Sequence, residues 1–147
     1  VDSLGLEVAQ GLVMSETFYW DLNQRTRAFT QRLGTLPGNI RPSMVQAGCY
    51  SAALHYFKAV MDMGVPAAKA SGLDAVNRMK AMPTSDDAFG EGTIRPDGRK
   101  LHDCYLFQVK TPQQSSGRWD YYNLIGTTPA AQAFRPLTEG GCALVRA

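Results

Sequence analysis

Residues 11–29, GLVMSETFYWDLNQRTRAF, confine the possible folds more tightly than any other stretch of the chain. An apolar run (Leu12, Val13, Met14) passes through a polar step into three adjacent aromatics, Phe18, Tyr19 and Trp20, and a helix signal follows at once. Asp21 with Gln24 three residues on reads as an approximate capping box, in which each side chain satisfies a backbone N–H left without an intrahelical partner. Leu22, Thr26, Phe29 and Leu33 then recur at helical spacing. The aromatics therefore stand at a strand-to-helix junction, the place where α/β sheets open ligand crevices. Taken by spacing alone, three aromatics at a junction equally describe core filling, since each ring buries a large area.

The rest of the chain is read around that junction. Gly34 is a plausible helix stop, and Pro37-Gly38-Asn39 is a turn signal. A second, longer helix begins near Pro42 with Ser43 as its cap, and Tyr50, Leu54, Phe57 and Met61, with Ala53 and Val60 beside them, trace its apolar stripe. Met63-Gly64-Val65-Pro66 ends it. Asp74 caps a short third helix that runs to Met82 and carries Val76 and Met79, with Pro83 as the stop. Residues 83–92 read as an acidic, small-residue loop.

A β-hairpin follows, with Thr93-Ile94-Arg95 and Lys100 to Lys110 as its arms. Pro96-Asp97-Gly98-Arg99 is the turn, where Pro fixes φ and Gly supplies the positive φ. Leu101, Asp103, Tyr105, Phe107 and Val109 share one face of the second arm; His102, Cys104, Leu106 and Gln108 share the other. Residues 119–127 read as one more strand, and the tail beyond Pro129 as irregular.

At 147 residues, 44% hydrophobic and 19% charged, the chain is globular and long enough for one core. A net charge of +2 with scattered basic residues argues against a nucleic-acid partner. No apolar run approaches the roughly 20 residues of a membrane span. The chain opens on Val1 without a basic-then-apolar leader, so it is expected to be a processed or trimmed product. Cys49, Cys104 and Cys142 are far apart and lack any metal-ligand spacing. Cys49 and Cys104 read as buried small hydrophobes, and Cys142 is free to pair with one of them or with a cysteine elsewhere. No cofactor or metal is implied.

His55 lies among apolar helix residues. His102 and Asp103 are strand neighbours that point to opposite faces, so neither histidine reads as half of an acid–base pair. Gly90-Glu91-Gly92 lacks the Lys and the helix of a phosphate loop, and no named catalytic signature is present. One strand, three helices and a hairpin leave more apolar helix surface than the chain's own sheet can cover. The chain accordingly reads as part of a larger protein, whose apolar faces self-associate or pair with a missing N-terminal segment.

Four segments, EVAQGLVMSETFYWDLNQRTRAF, PSMVQAGCYSAALHYFKAV, GEGTIRPDGRKLHDCYLFQVK and WDYYNLIGTTP, resemble in order and spacing the C-terminal part of type-1 periplasmic solute-binding proteins, the branched-chain amino acid group of ATP-binding-cassette (ABC) importers. Family members are more than twice this length, so the resemblance implies a fragment of a two-lobed α/β fold in which helices precede a β-hairpin and a further strand.

In that family three crossing segments join two lobes, and the solute sits between them. The resemblance then implies that residues 1–18 end the C-terminal lobe. Residues 19–82 cross over and pack in the N-terminal lobe, and residues 83–147 return to the C-terminal lobe. It also implies a ligand site that is only partial here. Met44, Val45, Gln46 and Tyr50 match the cleft-lining segment, and Tyr19 and Trp20 stand at the crossing. The candidate ligand contacts are Tyr19, Trp20, Met44, Gln46 and Tyr50, each with a purely structural role as the alternative.

The implied function is extracytoplasmic solute binding rather than catalysis. The solute would be an amino acid-like or aromatic carboxylate compound, handed to a membrane permease in the periplasm. A ligand-sensing receptor of the same fold is the alternative, and an enzyme of unrecognised type is a remoter one.

Overall fold

A computed structural model describes residues 1–34 and 36–145. A single helical turn, α1 (Leu6–Ala9), leads into β1 (Val13–Glu16). Helices α2 (Gln24–Leu33), α3 (Met44–Met63), α4 (Val65–Ala70) and α5 (Gly72–Ala81) follow in sequence. The chain then forms β2 (Thr84–Asp86), β3 (Gly90–Ile94), β4 (Lys100–Leu101), β5 (Cys104–Val109) and β6 (Tyr122–Thr128). Two antiparallel three-stranded sheets result, with strand orders β1-β5-β6 and β2-β3-β4.

Helix α2 begins two residues later than the Asp21 reading. Asn23, in extended backbone, is its cap: Asn23 Oδ1 accepts from Thr26 N and Thr26 Oγ1 accepts from Asn23 N, each at 3.0 Å. Asp21 is instead engaged by Arg27 at 2.9 Å. Gly34, at φ 69°, ends the helix as expected. Replacing Asn23 with alanine removes one acceptor from an orphan N–H and is expected to lower stability by about 1 kcal/mol in urea denaturation.

Ser43 caps α3 in a second reciprocal box with Gln46. The helix, however, turns a different face inward from the one its large apolar residues mark. Ala47, Ser51, His55 and Ala59 are buried, whereas Phe57 is 60% and Met61 83% exposed. Along this i, i+4 row Ala47 joins the core of Phe18, Phe29 and Ala88, Ser51 donates to Asp86, and His55 reaches Met79 O of α5, while Ala68 of α4 and Ala75 of α5 are buried as well. Cys49 is exposed, contrary to the buried reading, and all three cysteines are free. Beyond the expected stop at Met63-Gly64-Val65-Pro66 the chain forms the further helix α4, and α5 is capped by Ser71, whose Oγ accepts from Asp74 N at 3.1 Å, rather than by Asp74.

Residues 83–92 are likewise not a loop. Thr84 to Asp86 pairs with Gly90 to Gly92 as a hairpin. The Pro-Asp-Gly turn forms as read: Gly98, at φ 85°, donates to Arg95 O at 2.8 Å, and Thr93 and Ile94 pair with Leu101 and Lys100. The second arm is not one continuous strand. His102 and Asp103 break it, and β5 joins the other sheet. Asp103 Oδ1 accepts from Ala130 N at 2.9 Å, while the His102 ring stacks on Phe89. Within β5 the alternation holds, with Phe107 and Val109 buried and Leu106 and Gln108 exposed. The last strand starts later than residue 119, because Trp119 (φ 77°) sits in a turn.

The three adjacent aromatics diverge. Phe18 enters the helical core, edge-on to Phe29 at 5.7 Å, with Ala47 and Ala88 completing it. Tyr19 enters the sheet core against Phe107 (5.5 Å) and Tyr122 (5.0 Å). Trp20 lies between the two cores. Core filling is thus what Phe18 and Tyr19 both do, and the junction ties the sheet to the helices.

Candidate functional site

A cavity of about 250 Å³ opens at the junction, lined among others by Glu16, Tyr19, Trp20, Arg41, Met44, Trp119, Tyr121 and Tyr122. Its geometry rests on the carbonyl of Trp119. That oxygen accepts from the Tyr19 hydroxyl and from Trp20 Nε1, both at 2.8 Å, while Trp119 Nε1 donates to Asn39 O at 2.9 Å. The Tyr19 hydroxyl also accepts from Tyr121 N at 3.2 Å. A non-glycine residue at positive φ is costly, and these bonds hold Trp119 there. Burial pushes the Tyr19 phenol up to about 12, so it is a neutral donor at any physiological pH.

Two charged groups border these rings. The Arg41 guanidinium lies over the Trp20 ring, 5.0 Å from its centroid, a cation–π arrangement. Glu16, at the end of β1, is half-buried; its Oε2 is shut off from water and has no hydrogen-bond partner among the described residues. Desolvation raises its carboxyl above the usual range.

The other two candidate residues lie elsewhere. Gln46 Oε1 accepts from Ser43 N (3.0 Å) and Ser43 Oγ (2.6 Å), so its side chain serves the helix cap. The Tyr50 hydroxyl donates to Asp87 Oδ1 at 2.7 Å and accepts from Arg32 Nη2 at 2.9 Å, and Arg32 also meets Asp87 Oδ2 at 2.6 Å. The structure thus gathers Tyr19, Trp20 and Met44 around one cavity and leaves Gln46 and Tyr50 outside it. Glu16, Arg41 and Trp119 were not among the residues singled out from sequence. Glu16 did carry a signal there, as the one carboxylate in the strand that precedes the aromatics.

Neither histidine meets an acid. His55 is buried with Nε2 2.8 Å from Met79 O, so that nitrogen carries the proton and donates. His102 Nδ1 faces the Asp103 carbonyl at 3.0 Å rather than its carboxylate. Among the described residues no group of three or more His, Cys, Asp or Glu is gathered as for a metal ion. No helix among them is long and apolar enough to cross a membrane.

A family model described as periplasmic binding protein matches residues 1–118. This chain belongs to the periplasmic binding protein family. Two solved structures are similar over 98% of the chain. One is a periplasmic binding protein from Burkholderia mallei (39% identity, TM-score 0.81). The other is a branched-chain amino acid ABC transporter periplasmic ligand-binding protein from Burkholderia xenovorans (40% identity, TM-score 0.83). The chain spans 37% of the length of each.

A solute-binding protein of an ABC transporter from Rhodopseudomonas palustris, solved with 3,4-dihydroxybenzoic acid, shares the fold at 22% identity and a TM-score of 0.64, over 83% of this chain and 32% of that one. No curated protein matches. The chain is therefore a mixed α/β fragment of the periplasmic binding protein fold, a family typically without enzymatic activity. Its element order has an account in that fold: one strand, a run of helices and then a hairpin form part of a longer chain.

Proposed function

We propose that the chain is the C-terminal part of the solute-binding component of an ABC importer. A small amino acid-like or aromatic carboxylate solute then binds at the Tyr19–Trp20–Met44 cavity, between two lobes. In this reading residues 1–18 close the C-terminal lobe, residues 19–82 cross to the N-terminal lobe and residues 83–147 return. The observation that carries the reading is the meeting of Tyr19, Trp20 and Met44 on one aromatic cavity at the junction. Aromatic walls with a few fixed polar groups suit a small, flat or apolar solute. Gln46 and Tyr50 stand outside this cavity, Gln46 on the cap of α3 and Tyr50 on Arg32 and Asp87, and are left out of the proposed contacts. Binding stabilises the closed arrangement, which a membrane permease receives at the periplasmic face. The exposed Phe57, Met61 and Val45 support packing of these faces against further chain or a second copy.

The test uses the only two tryptophans of the chain, Trp20 and Trp119, both of which line the cavity. Titration with a panel of amino acids and aromatic acids is expected to shift their fluorescence. A true ligand at a hundred times its Kd is expected to raise Tm by roughly 5–10 °C, since binding only the folded form adds about 2.7 kcal/mol. A panel that moves neither the fluorescence nor Tm would sink the reading.

A further inference from the structure

The sheet β1-β5-β6 and the helices α2–α5 have separate cores, with Tyr19 in one and Phe18 in the other. The aromatic cavity lies between them, walled by Tyr121 and Tyr122 from the sheet side and by Arg41 and Met44 from the helix side. Among the described residues, one hydrogen bond runs directly from the sheet segments (1–16 and 104–128) to the helical segment (24–81): Trp119 Nε1 donates to Asn39 O at 2.9 Å. Its two ends are also the only non-glycine residues at positive φ among those described, Trp119 at 77° and Asn39 at 52°. Such backbone is rare outside glycine, and a bulky residue holds it only where its surroundings impose it. At Trp119 the carbonyl accepts from Tyr19 and Trp20 while the indole reaches the other side. Asn39 takes left-handed backbone more readily than most residues, and it closes the turn over 37–39.

We propose that the Trp119–Asn39 bond is a latch that holds sheet and helices at the angle that forms the cavity, which makes Trp119 a positioning residue of the candidate site. The two bodies are otherwise held through the connecting segments. At the junction Arg41 lies over Trp20 and Thr17 Oγ1 donates to Met44 Sδ, and in the tail Arg135 O accepts from Arg95 Nη1. Turning one body against the other about these connections separates Trp119 from Asn39, so one bond can bias the angle. A neutral hydrogen bond shifts a two-state ratio by about fivefold, enough to favour one arrangement without locking it. Trp119 serves both sides of the cavity at once. Its carbonyl orders the Tyr19 and Trp20 donors, and its indole ties that ordered wall to the loop leading into Arg41 and Met44. The latched chain has its cavity formed in advance, which spares a solute the cost of forming it. That consequence rests on the reading of the cavity as the solute site; the latch itself does not.

Spin labels at Cys49 on α3 and at Leu124→Cys on β6, both exposed positions, report the sheet-to-helix distance by double electron–electron resonance, with Cys104→Ser and Cys142→Ser removing the other thiols. The labelled parent is expected to give one main distance. Trp119→Phe keeps a ring and the backbone carbonyl but has no donor, and the ratio of that distance to all others is expected to fall about fivefold. Asn39→Val keeps its carbonyl but disfavours the φ of 52°, and is expected to do the same. Asn39→Gly, at ease at positive φ, is expected to match the parent. Combining Trp119→Phe with Asn39→Val is expected to add nothing, because both act on one bond. Distances in Trp119→Phe that superimpose on the parent would overturn the latch. So would a change in Trp119→Phe that Asn39→Val does not reproduce, since it would trace to packing of the indole rather than to the bond. Asn39 is exposed, so its two variants decide alone should Trp119→Phe fail to fold. No solute enters this measurement: a panel that binds nothing sinks the cavity reading and leaves the latch standing.

Discussion

Phe107→Ala is expected to destabilise the chain by about 3–5 kcal/mol, read as a lower urea midpoint at unchanged m-value. Phe107 is 1% exposed and stands at the centre of β1-β5-β6. Its ring meets Tyr19 at 5.5 Å, Tyr122 at 5.9 Å and Tyr105 at 6.3 Å, so truncation leaves a void walled by three rings. Tyr19 is bonded to Trp119 O and Tyr121 N, and cannot collapse into the gap without breaking both. The full cavity penalty is therefore expected rather than a relaxed one. Because Tyr19 also walls the candidate site, solute binding should weaken together with stability. Phe107→Leu, which keeps most of the volume, should cost less than half as much.

What could be read from the residues alone follows from how local each determinant is. The Pro-Asp-Gly turn and the alternation of β5 were legible because a turn residue's φ and a strand's period of two are fixed within a few positions. The face of α3 was not. Periodicity finds large apolar residues, and here Phe57 and Met61 lie on the surface while the buried face carries alanine, serine and histidine. Nothing local distinguishes an apolar face covered within this chain from one left open by it. The same holds for the break at His102 and Asp103, where the hydrogen bond from Ala130 and the stacking on Phe89 outweigh strand continuity.

For the candidate site, Tyr19 and Trp20 announced themselves by adjacency, and Met44 through the resemblance of its segment. Trp119 could not be found this way. It reaches Tyr19 and Trp20 from about a hundred positions along the chain, through a backbone carbonyl that any residue type carries. Gln46 and Tyr50 show the converse. Their side chains have the chemistry of ligand contacts, but in this structure Gln46 spends its oxygen on Ser43 and Tyr50 its hydroxyl on Arg32 and Asp87. Donor and acceptor types were readable, whereas their partners depend on long-range packing.

Asp86→Ala is expected to cost about 3 kcal/mol, the lower end for breaking a buried pair because Lys100 keeps a side-chain exposure of 21%. The Asp86 side chain is 3% exposed and holds four donors. Its Oδ1 accepts from Ala88 N at 3.0 Å and Phe89 N at 2.6 Å. Its Oδ2 accepts from Ser51 Oγ at 2.6 Å and Lys100 Nζ at 2.8 Å. One carboxylate thus shapes the β2–β3 turn, fastens α3 to it and anchors β4. Burial acts to raise its carboxyl, but Lys100, the Phe89 N–H and Ser51 outweigh that and hold it below the usual range. A carboxylate with a lowered folded value stabilises fully above its unfolded value, near 4, and loses that contribution as pH falls through the lower folded one. The wild-type advantage over Asp86→Ala should accordingly be constant from pH 7 to about 5 and shrink below about 4, measured as the difference in urea-unfolding free energy at each pH. A gap that stays the same down to about pH 2 would mean that the loss comes from packing and neutral hydrogen bonds rather than from the charge.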